Sequence, residues 1–389
     1  MTHRSALPFA TACTGTFTVG FIFALQGALL PYVIQDLHLS FTQGGIIGLC
    51  GGGMYIFMSL YSGHFTDKRG SRQGLAIGAS CLGGGALLFS LSHIVGLLYL
   101  FRAFIGCGNA FSEISVNKMI AERFAAMRIR FMNLLHLFWG MGALLSPLFA
   151  GWLLGLGCSW RVVLAVAALP ALVTLVCNFM QKPDQSAATT SNFSLRDYMR
   201  LFRSPRIALL FGLILCNVAA QQGIILWLVN YLQVYHNLSA WTSAGALSAF
   251  FAGLTAGRFI GFLLRDRLHP GILLTVTGSC MAASIAGGMF WSAPVILLFF
   301  ITGLSTAPAV PVLAALAAEH SDEKAGLVMG GFFFAQSIGS TGAMFGVGVL
   351  NDLQGVQAGF AGVLCMAVLY TLLTLKLWNF SKSSPEPVA

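Results

Sequence analysis

The chain has 389 residues, 57% of them hydrophobic and only 8% charged, with a mean hydropathy of +0.81 and a formal charge of +9 at pH 7. A soluble domain carries about one quarter charged residues, and no soluble core could hide this much apolar surface, so a water-soluble globular protein is excluded. The positive charge follows from membrane topology and calls for no nucleic-acid partner.

In chain order, twelve mainly apolar stretches are long enough to cross a hydrocarbon layer of roughly 30 Å as helices. They cover 9–31, 41–62, 74–92, 95–121, 129–154, 160–180, 206–232, 240–264, 270–291, 293–318, 325–349 and 357–378. The fold class expected is therefore an all-α polytopic membrane protein with twelve transmembrane helices. The first stretch lacks a small-residue cleavage site and reads as a retained helix, not a signal peptide. Arg4, Lys68, Arg69, Arg72, Arg123, Arg128, Arg130, the basic residues from Lys182 to Arg206, Arg265, Arg267, Lys324, Lys376 and Lys382 all fall on one side of this map. Only Arg161 falls on the other. Lys and Arg concentrate in cytoplasmic loops, so both termini are expected inside. The compact loops and the lack of a targeting extension point to a bacterial inner membrane. The nine cysteines lie mostly within spans and form no CxxC pairs, which reads as packing, not as metal or redox chemistry.

The longest polar stretch, from Gln181 to Arg206, leaves six spans on each side. The organisation expected is a first six-helix bundle over 1–180, a cytoplasmic linker over 181–205 and a second bundle over 206–389. Within the linker Leu195, Tyr198, Met199 and Phe202 share one helical face and Arg196, Arg200 and Arg203 the other, a pattern suited to a helix lying in the membrane interface. The halves also match at a constant offset of 197 positions: Gly106, Glu122, Met132, Gly142 and Gly151 pair with Gly303, Glu319, Met329, Gly339 and Gly348. Five matches at one offset, on spans 4 and 5 against spans 10 and 11, point to duplicated six-helix units. Many secondary transporters are built from two such units, with the substrate site at their interface near the midplane.

The residues after span 2 read Gly63-His-Phe-Thr-Asp67-Lys68-Arg69-Gly70-Ser71-Arg72. This resembles the Gly-x-x-x-Asp-Arg-x-Gly-Arg-Arg signature of the major facilitator superfamily, with Ser71 departing from it. A weaker echo, Gly261-Phe-Leu-Leu-Arg-Asp266-Arg267, follows span 8. The physical sense is a tight turn whose carboxylate, Asp67, pairs with a basic group or a helix N-terminus in one conformation and releases it in another; Asp67 and Arg72 are thus gating candidates. Within the superfamily the chain looks closest to the fucose permease type of sugar–proton symporters. The likeness runs through Gly106-Cys-Gly108, Glu113-Ile-Ser-Val-Asn117, Asn133-Leu-Leu-His136-Leu-Phe-Trp139-Gly140, Pro308-Ala-Val-Pro311 and Ala318-Glu319. Relatives of this type carry an aspartate in span 1 just before a Leu-Leu-Pro turn, where this chain reads Gln26-Gly27-Ala28-Leu29-Leu30-Pro31.

Ionisable groups inside spans are costly and are functional candidates by default. Arg102, Gly106, Asn109, Glu113 and Asn117 fall on one stripe of span 4, expected to face a central cavity. A carboxyl at Glu113 can take and lose a proton within a transport cycle, and the resemblance implies a proton-linked acid at this Glu-x-x-x-Asn position. His136 on span 5 is its candidate companion; a structural pairing of Glu113 with Lys118 or His136 is the competing reading. Amides and aromatic faces suit a neutral polyhydroxylated ligand, because each desolvated hydroxyl needs a partner. The solute-binding candidates are Gln26, Asn109, Asn117, Asn133, Trp139, Gln221, Gln222, Trp227 and Gln336; the alternative use of these amides is to join helices. Arg102 and Arg258 join Asp67 and Arg72 as gating candidates, and Arg102 lies too far along its helix from Glu113 for a direct pair.

No nucleotide-binding glycine loop, paired cytoplasmic carboxylates or metal-spaced His/Cys cluster is present, so no enzyme, cofactor or metal is expected. The reading is a secondary transporter of a small polar solute, a sugar or related metabolite, working by alternating access and coupled to protons, in a lipid bilayer and as a monomer. One feature favours an antiporter exporting a drug or siderophore-like metabolite: Gly142-Ala-Leu-Leu-Ser146-Pro147-Leu-Phe-Ala150-Gly151 resembles a degraded Gly-Pro signature of drug–proton antiporters. A ligand-sensing receptor is the reading from another class, and short loops leave it little surface for a signalling partner.

Overall fold

The computed structural model of the chain describes residues 3–124, 127–181, 204–264, 269–319 and 325–383. The first six helices are α1 (His3–Asp36), α2 (Phe41–Arg69), α3 (Ser71–Leu91), α4 (Val95–Arg123), α5 (Arg128–Gly155) and α6 (Trp160–Val166), followed by α7 (Leu169–Phe179). Then come α8 (Pro205–Val234), α9 (Ala240–Leu264), α10 (Pro270–Phe290), α11 (Val295–Thr306), α12 (Ala309–Glu319), α13 (Ala325–Gln354) and α14 (Val356–Ser383). Among the described residues, eleven helical stretches are long and apolar enough to cross a membrane, counting α6 with α7 and α11 with α12 as one each. The remaining expected span coincides with the 25 residues of α9. The protein is an all-α polytopic membrane protein.

Local chemistry sets the helix ends. Ser40 caps α2 with its hydroxyl accepting from the Gln43 amide at 3.1 Å, while the Gln43 side chain accepts from the Ser40 amide at 2.9 Å, a reciprocal box that satisfies two otherwise orphaned donors. Two expected spans are each two helices in series. Pro170 lies at the start of α7 and Pro308 just before α12, and a residue with no N–H cannot continue the i→i−4 ladder. The turn expected around Asp67 is tighter than the spacing predicts. α2 runs on to Arg69, α3 begins at Ser71, and Gly70 alone reverses the chain at φ 90°, a conformation that favours glycine.

By internal contacts the chain forms two compact units, one of Met1–Ser191 with Asn237–Ser248, the other of Asn192–His236 with Ala249–Ala389. The amphipathic face expected around Leu195 to Phe202 lies outside the described residues. In the first unit α1, α3, α4 and α5 meet in a core of Ala12, Cys13, Leu75, Val116, Met119, Ile120, Phe124, Phe131 and Leu135. Phe9 packs against this core edge-on to Phe124 and Phe131, which are tilted to each other, with ring centroids 4.4–6.1 Å apart. In the second unit α8 is buried on nearly every face along its central turns, as expected of an element that is apolar all round. Tyr231 stacks on Phe360 at 4.2 Å beside it. Outward-facing Phe57, Leu60, Leu91, Phe290 and Leu353 leave large apolar surfaces, which a bilayer covers and water would not.

Lipid tails are as apolar as leucine, so helices in a membrane are held by close packing more than by hydrophobic exclusion. Four of the duplicated glycines lie at close backbone approaches between helices. A Cβ on Gly106 of α4 would sit 2.2 Å from the carbonyl oxygen of Gly51 on α2, and one on Gly303 of α11 would sit 1.9 Å from the carbonyl oxygen of Phe250 on α9. Likewise Gly142 of α5 lies against the carbonyl of Phe17 on α1 (2.3 Å), and Gly339 of α13 against that of Leu215 on α8 (2.4 Å). The partners Phe17 and Leu215, and Gly51 and Phe250, are themselves separated by nearly the offset of the glycines, so the sequence repeat is a repeat of helix crossings within each unit.

Candidate functional site

In the first unit the polar stripe of α4 does not share one environment. The crossing of α2 over α4 at Gly51 and Gly106 covers its N-terminal half: Arg102 and Asn109 are both 6% exposed. Further along, Glu113 is exposed and Asn117 half-buried. The Tyr55 hydroxyl of α2 donates to Glu113 Oε2 at 2.9 Å. Both residues come from the same helix crossing, so the glycine packing that brings α2 onto α4 also places the phenol against the carboxylate.

Lys118, a candidate partner of Glu113 from sequence, is held elsewhere. Its Nζ donates to Asp67 Oδ1 at 2.6 Å and to the Thr66 carbonyl at 3.0 Å, with Glu122 at 3.7 Å. Asp67 thus joins the end of α2 to α4. Arg72, at the start of α3, donates from Nε to the Asn178 carbonyl (3.2 Å) and from Nη2 to the Phe179 carbonyl (2.9 Å). Asn178 Nδ2 returns a bond to the Arg72 carbonyl at 2.9 Å. A guanidinium on the last carbonyls of α7 satisfies acceptors that the helix leaves open and complements its dipole. The Asp67–Lys118 pair is partly exposed, 35% and 17% by side chain, and such pairs contribute at most about 1 kcal/mol. Lys118→Met is accordingly expected to change the initial rate of solute uptake by no more than about fivefold. A fall beyond about tenfold in folded protein, or about 1.4 kcal/mol, would make Lys118 part of the transport step, not a tie.

Arg102 Nη2 donates to Gln26 Oε1 of α1, and its guanidinium lies over Gly51, where a Cβ would meet Cζ at 2.2 Å. On α5, Asn133 and His136 are exposed and Trp139 is half-buried, its ring 5.8 Å from that of Phe23.

At the opposite end of these helices Asp36 accepts from Arg161 Nη2 and from the Trp160 indole, each at 3.1 Å. Arg161 Nη1 also donates to the Ser90 and Ser92 carbonyls at 2.9 and 2.6 Å. The one basic residue that sequence places across the membrane from the others is thereby consumed in joining α1, α6 and the end of α3.

In the second unit Gln221 is buried and Gln222 half-buried on α8, and Gln336 is half-buried on α13. The Oε1 atoms of Gln222 and Gln336 are buried without a hydrogen-bond partner among the described residues. Trp227, expected to face a ligand, is 1% exposed, and its indole donates to the Met344 carbonyl at 2.9 Å; in this conformation it joins α8 to α13. Asn217, on the same helix, accepts from Thr306 at 3.3 Å. Arg258 is exposed on α9. Sequence reasoning missed Tyr55, Lys118, Asn178 and Asp36 as partners, since each lies 50 or more residues from its contact.

The family described as the Major Facilitator Superfamily matches residues 12–344. A putative glucose/galactose transporter of Helicobacter pylori is 23% identical over 283 residues, covering 65% of this chain and 67% of the relative. A glucose/galactose transporter of Brucella abortus is 25% identical over 264 residues, 63% of each chain. Among solved structures, the nucleoside transporter NupG, in a mutant form, superposes with a TM-score of 0.83 at 13% identity over 96% of this chain and 99% of that one. A D-xylose–proton symporter superposes with a TM-score of 0.75 at 16% identity over 97% and 98%. At these identities the solved structures are like this chain in fold.

Proposed function

The chain belongs to the Major Facilitator Superfamily, and on that footing we propose that it moves a small polar solute, a sugar or related metabolite, by alternating access, coupled to a proton through Glu113. The observation that carries the coupling is the Tyr55–Glu113 pair: an ionisable carboxylate within a spanning helix, exposed, with one oxygen held by a phenol. Such groups are rare in spans because they are costly there, and they serve ion pathways. The sugar class is supported by the names of the curated relatives and by the amide and aromatic groups that the spans carry. In the first unit Asn117, Asn133 and Trp139, with His136 beside them, are the groups proposed for solute hydroxyls; in the second they are Gln222 and Gln336. Asp67, Arg72 and Arg258 are proposed to respond to the conformational cycle. The distribution of Lys and Arg supports cytoplasmic termini in a bacterial inner membrane, and we propose that the protein acts as a monomer.

The test is uptake of labelled glucose, galactose and xylose by purified protein in liposomes with an inward proton gradient. Accumulation above the external concentration that collapses with a protonophore is the expected result. Extrusion driven by the reversed arrangement would replace import by antiport, and gradient-independent equilibration alone would remove the proton from the mechanism.

A further inference from the structure

Arg102 is a full positive charge deep in the first unit, 6% exposed, and no carboxylate among the described residues lies within ion-pair distance of it. One hydrogen bond, from Nη2 to Gln26 Oε1, is all that its five donors make among the described residues. Nε and Nη1 of Arg102 are buried without an acceptor, and so is Nε2 of Gln26, on the same amide that Arg102 already binds. Three orphaned donors and one unneutralised cation therefore gather on two touching side chains. A buried charge without a partner is strongly destabilising, and donors without acceptors add to that cost. The missing partner is an acceptor with negative charge. Gly51 leaves the guanidinium the room it occupies, because any side chain there would overlap Cζ. Gln26 is only half-buried, so its amide can turn to share an incoming group.

We propose that Arg102 and Gln26 form an anion site between α1, α2 and α4, occupied by a small monoanion that accepts from Arg102 Nε and Nη1 and from Gln26 Nε2. The anion is either a free inorganic ion such as chloride or a carboxylate borne by a solute; planar guanidinium groups bind both, and carboxylates bidentately. The site stands on this geometry and not on the transport reading, and binding is measured without transport.

The experiment is thermal unfolding of the full-length protein in detergent, titrated separately with chloride and with formate, at ionic strength held constant with a bulky morpholine sulfonate. The wild-type melting temperature is expected to rise saturably by about 2–4 °C as the binding anion passes its dissociation constant. A response to formate at lower concentration than chloride assigns a carboxylate, and the reverse order a free halide. Gln26→Glu supplies its own carboxylate to Arg102, so it should melt at or above the anion-free wild type and respond to neither ion. Arg102→Gln should also be unresponsive; should that variant fail to fold, Gln26→Glu decides alone. A wild type unresponsive to both anions overturns the site, as does a Gln26→Glu variant that responds like wild type.

Discussion

Glu113→Gln is expected to abolish gradient-driven accumulation of solute while leaving exchange at equal pH intact. Glutamine keeps the size of the side chain and an acceptor for the Tyr55 hydroxyl, and removes only the ability to carry a proton. With one proton per solute, a gradient of one pH unit supports about tenfold accumulation, and the electrical term, about 2.3 kcal/mol per charge per 100 mV, raises that by a further factor of about fifty. A variant that cannot take the proton gains neither factor and comes to rest at equal concentrations. Tyr55→Phe separates the roles within the pair: it removes one donor to the carboxylate, a bond of about 1 kcal/mol, and should slow uptake several-fold without lowering the plateau. Both are read in proteoliposomes with the same labelled sugar. Accumulation by Glu113→Gln at the wild-type plateau would take this residue out of the coupling, whatever the solute proves to be.

The second large effect lies in the duplicated glycine crossings. Gly106→Ala and Gly303→Ala each place a Cβ about 1 Å too close to a backbone carbonyl, at 2.2 Å from Gly51 and 1.9 Å from Phe250. Backbone cannot swing aside as a side-chain end can, so the two helices must part along their length and lose contacts over several turns. Overpacking typically costs about 1–3 kcal/mol, which for units of this size lowers the melting temperature by several degrees, about 3–10 °C. Gly84 and Gly346 have open space where a Cβ would stand, and alanine there should be neutral or slightly stabilising, since it also removes the helix penalty of glycine. Melting curves of the four variants in one detergent test this directly. Equal loss at all four positions would show that helix flexibility, not the crossing, is what glycine provides.

Much of this architecture is written in the order of the residues. The spans are legible because hydrocarbon demands about 20 apolar residues for each crossing, whatever their order. The duplicated crossings are legible because a glycine needed at one crossing is needed again at the copied one, 197 positions on. The stripe from Arg102 to Asn117 is legible because helical period depends on local spacing alone. Its expected common exposure is another matter. Arg102 and Asn109 are buried while Glu113 is open, since α2 crosses α4 at Gly51 and Gly106 and covers one half of the stripe. Trp227 shows the same limit: an aromatic near the middle of a span reads as a ligand face, and only the approach of α13 turns its indole to the Met344 carbonyl.

By itself the sequence determines that the protein is membrane-spanning, that it is helical, that its halves repeat and which few ionisable residues sit within its spans. Those properties depend on composition and on periodicities of a few residues. The tertiary structure alone decides the partners: Tyr55 for Glu113, Lys118 for Asp67, the end of α7 for Arg72 and Gln26 for Arg102. Each of those contacts joins residues 50 or more positions apart, across a crossing whose depth and angle are set by which glycines meet which carbonyls. Charge on a helix can be counted from the letters of the chain; whether it is answered depends on what the neighbouring helix brings to it.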